Sequence, residues 1–290
     1  MKLLTVIFSF LLIVSILVQC QTKVKPKYFM HEDLTKIWET TPELLTSESV
    51  CYNPDKDILY VSCVNGQPTE KDSNGYIAQV GLDGKIVNLK WIESLDAPKG
   101  MGIFEGKLYV TDIDRIVEID IDQGQIIQDY PVEGAKFLND ISIDDSGRVY
   151  FSDTNTKKIH RLSNNIVETW LESDSLVSVN GLFVEDGSIL IGTASAMLKA
   201  NLQTKVFQTF IINEGGIDGL KPEGNGDYLF SDWVGHVYRG YPGMERTLLL
   251  DTTPVKANAA DIEFIISKKL LLVPTFSDNR VVAYKINSQK

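Results

Sequence analysis

A five-residue motif recurs six times along the chain and constrains the fold more than any other feature. Each copy is rich in apolar, β-favouring residues and most copies end in a small or acidic residue, as in Leu108–Asp112, Val149–Asp153 and Tyr228–Asp232. The copies end at residues 63, 112, 153, 193, 232 and 275, so neighbouring copies are 39 to 49 residues apart. A nearly fixed period of this size indicates a repeat architecture.

Each repeat contains several short β-rich runs separated by turn residues. An apolar run precedes a turn such as Asp144–Gly147, the motif follows, and an alternating run such as Arg115–Ile119 comes next. No stretch shows a helical period of useful length. Strands in units of about 40 residues predict an all-β fold, a six-bladed β-propeller with four strands per blade around a central channel.

The two ends of the chain complement each other. The last repeat reaches Lys290 after only three strands, whereas the strand-like segment Lys36–Thr40 precedes the first repeat and has no repeat of its own. We expect this N-terminal strand to complete the last blade, because closing the ring removes exposed strand edges. Residues 36–290 are therefore predicted to form one propeller domain.

The first residues read as an export signal. The apolar run Leu3–Val18 follows a basic start, which is typical of a signal peptide over residues 1–19, and it is short for a membrane-spanning helix. The run ends at Cys20 in a sequence that resembles a bacterial lipobox, although Gln19 replaces the usual small residue. We expect lipidation at Cys20, a tether over residues 20–35, and a lipoprotein of the bacterial periplasm, outer membrane or cell surface. Plain secretion and an uncleaved anchor are the alternatives.

The charge balance limits the partners. The 290 residues include 28 Lys and Arg against 39 Asp and Glu, which gives a formal net charge of −11. Such an acidic chain repels phosphate backbones, so no nucleic-acid partner is expected. We expect a monomer that contacts a membrane only through its lipid anchor.

Besides Cys20, the chain has two cysteines, Cys51 and Cys63, both within the predicted propeller. If the residues around Asn53 and Asp57 form a hairpin, its register places Cys51 opposite Tyr60, away from Cys63. That separation is too large for a disulfide. We expect two buried thiols, with a disulfide as the alternative in an exported protein.

One polar residue per repeat lies 13 to 15 positions before the end of the motif, where the innermost strand of each blade begins. Six such strands around one axis bring these side chains to one mouth of the channel. This set, the rim ring, consists of Glu48, Lys99, Asn139, Asn180, Asp218 and Asp261.

The rim ring suits a hard cation. Carboxylates and amide oxygens, with no His or Cys among them, favour calcium, magnesium or manganese over zinc or copper. Glu48 and Asp218 would neutralise a divalent ion, and Asn139 and Asn180 would supply neutral oxygens. The alternative is that these polar groups only bind ordered water.

At these residues the sequence resembles the regucalcin/gluconolactonase family of six-bladed propellers, with a more distant likeness to paraoxonases. The resemblance covers about residues 36–286. It is carried by the segments Asn139–Ile141, Asp144, Gly147, Tyr150–Asp153, Asn180–Gly181 and Asp218–Gly219.

The resemblance implies a single divalent cation, calcium in the first place with magnesium or manganese as alternatives. It also implies metal-dependent hydrolysis of lactones, typically sugar lactones. The family's four metal ligands match Glu48, Asn139, Asn180 and Asp218, and its general base matches Asp218. Asp261, at the same rim, is a second candidate base.

Two of the positions that depart from the family pattern are candidate substrate-binding residues. Phe137 stands where many sugar lactonases carry an arginine, and Lys99 matches the position of the catalytic histidine of paraoxonases. Lys99 is expected to contact an acidic substrate or to form an ion pair with Asp261.

Three copies of the motif end in an aspartate on the side of the rim ring. We expect these residues either to orient rim groups or to cap turns and strand ends. They are Asp112, Asp153 and Asp232.

Together these features predict an exported, divalent-metal-dependent hydrolase of a small lactone or related ester. The alternative is a non-catalytic propeller in which the metal stabilises the channel and the top face binds a glycan or a protein.

Overall fold

Each copy of the motif forms the second strand of an antiparallel sheet, and six such sheets surround a central channel. The computed structural model describes residues 28–287. Five sheets have four strands and one has five. The predicted six-bladed β-propeller is therefore confirmed.

The chain enters through two short strands, β1 (Phe29–Met30) and β2 (Leu34–Glu39), and then builds the blades in order from the inner to the outer strand. Blade 1 contains β3 (Ser47–Asn53), β4 (Ile58–Cys63), β5 (Gly75–Gly81) and β6 (Ile86–Leu95). Blade 2 contains β7 (Pro98–Phe104), β8 (Lys107–Asp112), β9 (Arg115–Asp120) and β10 (Gln125–Pro131). Blade 3 contains β11 (Leu138–Ile143), β12 (Val149–Asp153), β13 (Lys158–Ser163) and β14 (Ile166–Glu172).

The second half of the ring follows the same plan. Blade 4 contains β15 (Leu182–Glu185), β16 (Ser188–Gly192), β17 (Ala196–Asn201) and β18 (Phe207–Ile212). Blade 5 contains β19 (Leu220–Gly224), β20 (Asp227–Ser231), β21 (His236–Gly240) and β22 (Thr247–Asp251). Blade 6 contains β23 (Glu263–Ile265), β24 (Leu270–Pro274) and β25 (Val281–Ile286). The helices of the described residues are two single 3₁₀ turns, Thr253–Val255 and Ile266–Lys268.

The N-terminal segment supplies the fourth strand of blade 6. Strand β2 pairs antiparallel with β25, with Leu34 opposite Ile286 and Glu39 opposite Val282. This pairing closes the ring as the sequence predicted, and β1 adds a short fifth strand to blade 5. The predicted signal peptide and Cys20 lie outside the described residues and stay predictions. No helix within residues 28–287 is long and apolar enough to cross a bilayer.

The motif strands are apolar throughout because both of their faces are covered by neighbouring blades. Leu59 and Val61 pack with Leu272 of blade 6, whereas Tyr60, between them, packs with Leu108 of blade 2. A strand buried on both faces needs a continuous apolar run rather than alternation. This packing explains the recurring motif from which the fold was predicted.

The serine in the fourth position of the motif accepts a hydrogen bond from the backbone of the innermost strand. Ser62 Oγ accepts a hydrogen bond from Ser49 N over 3.0 Å, and Ser231 Oγ accepts one from Gly219 N over 2.9 Å. A Cβ atom on Gly219 would lie only 2.2 Å from the backbone nitrogen of Ile262 in the next blade. At Gly219 the chain of blade 5 therefore approaches blade 6 too closely for any side chain.

The two cysteines of the described chain are free and buried. Cys51 pairs with Tyr60 across the hairpin, which is the predicted register. The expectation of two buried thiols is confirmed.

Candidate active site at the channel mouth

The six rim residues stand where the innermost strands begin, and five of them are buried while Asn180 is half-buried. The structure joins several of them directly. Asp261 N donates to Glu48 O over 3.0 Å, and the Asn180 amide nitrogen donates to Asp218 Oδ1. Residues separated by more than 200 positions in sequence thus meet at one end of the channel.

Three rim carboxylates have an oxygen without a protein partner, and two of them are the predicted metal ligands Glu48 and Asp218. Glu48 Oε2 and Asp218 Oδ2 are buried and accept no hydrogen bond. Burial, followed by the charges of Asp218 and Asp261, raises the pKa of Glu48 well above its usual range. Burial and the neighbouring Asp261 raise the pKa of Asp218 to about 8. Buried carboxylates in this state need either protons or a cation.

The two rim asparagines use their amide nitrogens within the protein. Asn139 Nδ2 donates to Thr154 Oγ1 over 3.3 Å, and Thr154 Oγ1 donates to Val179 O over 2.8 Å, next to Asn180. Asn180 Nδ2 donates to Asp218, as described above. The amide oxygens are then the groups that remain for a ligand, and they are neutral donors of the kind that calcium accepts.

The donor set fits a hard cation better than zinc or copper. Among residues 28–287 no three His, Cys, Asp or Glu side chains are gathered as metal ligands. The predicted set contains only two such side chains, Glu48 and Asp218, and relies on amide oxygens for the rest. Two unpartnered carboxylate oxygens beside two amides match calcium, magnesium or manganese.

Lys99 is enclosed by carbonyl groups and an aromatic ring. Its Nζ donates to Pro68 O and Ala97 O, each over 2.9 Å, and lies 4.6 Å from the centroid of the Phe137 ring. Burial lowers the pKa of Lys99 to about 8, against the opposing effect of Glu48. Within the described chain no ion pair joins Lys99 to Asp261. The two candidate substrate-binding residues, Lys99 and Phe137, therefore form a contact pair beside the ring.

Asp261 faces the channel interior as well as the mouth. Its Oδ2 accepts a hydrogen bond from Ser49 Oγ over 2.5 Å, and its Oδ1 is buried without a partner. Burial raises the pKa of Asp261 to about 6, although the nearby Lys221 opposes this shift. Asp261 therefore differs from Asp218, since the positive charge of Lys221 stabilises the ionised form of Asp261.

A second charged group extends from Asp261 of the rim ring along the inner strands, and the sequence did not predict its other three members. We call it the inner cluster. Its members are Asp140, Asp261, Lys221 and Glu263.

Lys221 Nζ lies 3.9 Å from Glu263 Oε2. Burial alone would lower the pKa of Lys221, but the carboxylates of Glu263, Asp261 and Asp140 raise it. Asp140 accepts hydrogen bonds from Ile141 N and from Leu182 N, at 2.7 and 2.6 Å. Asp140, Lys221 and Glu263 follow rim residues by one to three positions, which is the one sequence signal that points to them.

The aspartates at the ends of the motifs act as caps. Asp112 accepts hydrogen bonds from Asp96 N and Ala97 N, just before Lys99. Asp153 accepts one from Phe137 N over 3.0 Å, in the segment that leads into the next rim residue. Asp232 instead caps its own turn through the backbone of residues 235 and 236. Two of the three therefore fix loops that position rim residues.

Comparison with known proteins supports the fold. No family model matches the sequence, and no curated protein matches it. A solved structure of streptogramin B lyase has a TM-score of 0.64 at 12% identity, covering 90% of this chain and 98% of that one. A gluconolactonase from Xanthomonas campestris has a TM-score of 0.67 at 14% identity, covering 87% of this chain and 89% of that one.

Virginiamycin B lyase from Staphylococcus aureus is similar as well, with a TM-score of 0.59 at 17% identity, covering 88% of this chain and 89% of that one. At such identities the likeness concerns the fold alone. The chain is a six-bladed propeller with a gluconolactonase-like fold, which agrees with the resemblance seen in the sequence.

Proposed function

We propose that this protein is an exported, divalent-metal-dependent hydrolase of lactones or related esters. The observation that carries the proposal is the pair of buried, unpartnered carboxylate oxygens, Glu48 Oε2 and Asp218 Oδ2, beside two asparagine amides. A protein that buries such oxygens normally satisfies them with a ligand. The gluconolactonase-like fold supports the choice of a lactone as substrate.

Glu48, Asn139, Asn180 and Asp218 would hold the cation, with calcium as the expected ion and magnesium or manganese as alternatives. When bound, the cation supplies a positive charge that polarises the carbonyl group of the substrate and offsets the negative charge formed as the ring opens. The substrate is a small molecule, and the protein is expected to act as a monomer.

Asp218 is the preferred general base. Asn180 donates to its Oδ1, so Oδ2 is left for both roles: one lone pair of this oxygen would contact the cation and the other would take a proton from water. Without a cation, burial and the neighbouring Asp261 raise the pKa of Asp218; a bound cation would favour the charged carboxylate that a general base requires. Asp261 remains the second candidate, but its Oδ2 is bound by Ser49. Lys99 and Phe137 would contact the substrate at the edge of the ring.

Export is part of the proposal and rests on the apolar run that ends at Cys20. We expect a palmitate analogue to label the wild-type protein in bacterial cells and to leave Cys20→Ala unlabelled. Equal labelling of the two proteins, or no labelling of either, would remove the lipid anchor and leave secretion or an uncleaved signal.

The catalytic proposal is tested by assaying the purified full chain against aliphatic, aryl and sugar lactones with calcium present, in water enriched in ¹⁸O. We expect turnover with one ¹⁸O atom entering each hydroxy-acid product, because hydrolysis adds water across the acyl bond. Ring opening without ¹⁸O would indicate elimination, the reaction class of a lyase, and would overturn the proposal. No turnover of any lactone or aryl ester above an Asp218→Ala control would favour the non-catalytic alternative, a propeller that binds a glycan or a protein.

A further inference from the structure

A second ring of side chains lies over the rim ring. It is formed by the residue that follows the motif in each repeat, and none of its members is charged. We call this ring the collar. It consists of Val64, Ile113, Thr154, Ala194, Trp233 and Phe276.

Hydrogen bonds join the collar residues to the segments that lead into the rim residues. Phe276 N donates to Ser47 O over 3.0 Å, one residue before Glu48, and Leu138 N donates to Ile113 O over 2.9 Å, one residue before the next blade's rim side chain. The corresponding hydrogen bonds elsewhere join Thr154 Oγ1 to Val179 O, Gly216 N to Ala194 O, and Asn258 Nδ2 to Trp233 O. The collar and the rim ring therefore share one mouth of the channel.

One side of the collar is an apolar, aromatic wall. The rings of Trp233 and Phe276 meet edge to face with their centroids 5.5 Å apart. Phe276 in turn packs against a cluster that contains Val64 and Ile113. Trp233 nevertheless remains 48% exposed. The wall thus offers a large aromatic surface that the fold itself does not cover.

Two bulky residues of the collar adopt a backbone conformation that favours glycine, which indicates that their side chains are needed there. Phe276 has φ 40° and Ile113 has φ 57°, in the left-handed region that bulky and β-branched residues rarely adopt. A glycine would occupy either position without strain. Strained positions of this kind cluster at ligand-binding sites, where the side chain is needed for what it contacts.

The one hydroxyl group in the collar already forms hydrogen bonds within the protein. It belongs to Thr154, accepts from Asn139 and donates to Val179 O. The several hydroxyl groups of a sugar lactone would find no free partner on the collar, and an unpaired polar group loses binding energy. An aryl or alkyl substituent would instead bury apolar surface against Trp233 and Phe276.

We propose that the collar binds the apolar part of the substrate, so that the preferred substrate is a lactone or ester carrying an aryl or alkyl group that packs on Trp233. The reacting carbonyl group would then lie at the rim ring. This inference rests on the proposed hydrolase function, because it names the substrate class of the same site.

Two δ-lactones of opposite character, dihydrocoumarin and glucono-δ-lactone, test the inference with the full chain in calcium. We expect Trp233→Ala to lower kcat/KM for dihydrocoumarin by about tenfold or more and to change that for gluconolactone by less than about twofold. Tyr241→Ala is the matched control, because Tyr241 is 47% exposed and lies at the opposite end of strand β21. Equal losses for both lactones in Trp233→Ala, or a wild-type preference for gluconolactone, would overturn the inference.

A binding measurement separates this inference from the hydrolase proposal. The lactam analogue of dihydrocoumarin is not hydrolysed, and its binding can be followed by ligand-detected NMR. We expect it to bind wild type and Tyr241→Ala with equal affinity. Its affinity for Trp233→Ala should be lower by at least about tenfold. Such binding without turnover of any lactone would sink the hydrolase proposal and leave the collar as an aryl-binding site. Binding that is absent, or unaffected by Trp233→Ala, would sink the inference.

Discussion

Replacing Asp218 with asparagine is expected to lower the rate of lactone hydrolysis by about a hundredfold to ten-thousandfold, the usual contribution of a general base. Asparagine has the same shape and its Oδ1 can still accept the hydrogen bond from Asn180. The change therefore removes the charge and the proton acceptor while leaving the local packing intact. Steady-state kinetics with the best lactone of the panel would measure the loss.

The exposed turn residue Asp186 provides the matched control, since Asp186→Asn makes the same chemical change away from the channel. We expect this variant to keep the wild-type rate. An Asp218→Asn protein with more than about a tenth of the wild-type rate would contradict the role assigned to Asp218 and would favour Asp261 as the general base.

The same substitution has a predicted effect on the stability of the metal-free protein. The pKa values of Asp261 and Asp218, about 6 and about 8, lie above the value of 3.8 for an ordinary aspartate. The folded state then holds protons that the unfolded chain releases near pH 4, so the free energy of unfolding falls as the pH rises from about 4 to about 8, and Asp218 alone accounts for the part above about pH 6. In chelator, Asp218→Asn should lose the upper part of this decrease and be more stable than wild type above pH 8. Denaturant unfolding curves that do not depend on pH in either protein would contradict this expectation.

Replacing Lys221 with methionine is expected to destabilise the protein by about 3–5 kcal/mol, the usual effect of removing one partner from a buried ion pair. Lys221 is the cation that faces Asp140, Asp261 and Glu263. Methionine fills a similar volume but leaves three carboxyl groups without a positive partner. Because protonation relieves their repulsion, the difference from wild type should be smaller at acidic pH than at pH 8.

A surface pair provides the control for Lys221. Lys158 lies 3.6 Å from Glu172, and both side chains are partly exposed. Lys158→Met should change the free energy of unfolding by less than about 1 kcal/mol, since solvent already screens such pairs. If Lys221→Met cost no more than Lys158→Met, the inner cluster would not be an important source of stability.

The sequence predicted the fold and the rim positions because both follow the period of the repeat. A motif that is apolar on two faces marks the second strand, and the distance from its end marks the start of the inner strand, as at Asp218. The same counting, carried one residue past the motif, would have found the collar. Residues such as Val64 and Ala194 carry no polar or titratable group, so their type alone does not mark them as part of a site.

Other parts of the site depend on contacts that a period does not encode. The inner cluster forms between inner strands of different blades, so the pairing of Lys221 with Glu263 is visible only when the ring is closed. The environment of Lys99 depends on the carbonyl group of Pro68, which belongs to a loop without regular structure. The ion pair with Asp261, one of the two roles expected for Lys99, does not form among the described residues, because the Lys99 ammonium group donates to carbonyl groups instead.

Restoring calcium to chelator-treated protein tests both whether the rim ring binds the cation and whether lactone hydrolysis depends on it. We expect lactone hydrolysis to be lost in chelator and to return as calcium is added, saturating at one ion per chain. Glu48→Gln keeps the shape of the site but removes one carboxylate, and should require at least about tenfold more calcium for half of its maximal rate. Full activity in chelator, or the same calcium dependence in wild type and Glu48→Gln, would contradict a divalent cation held by the rim ring.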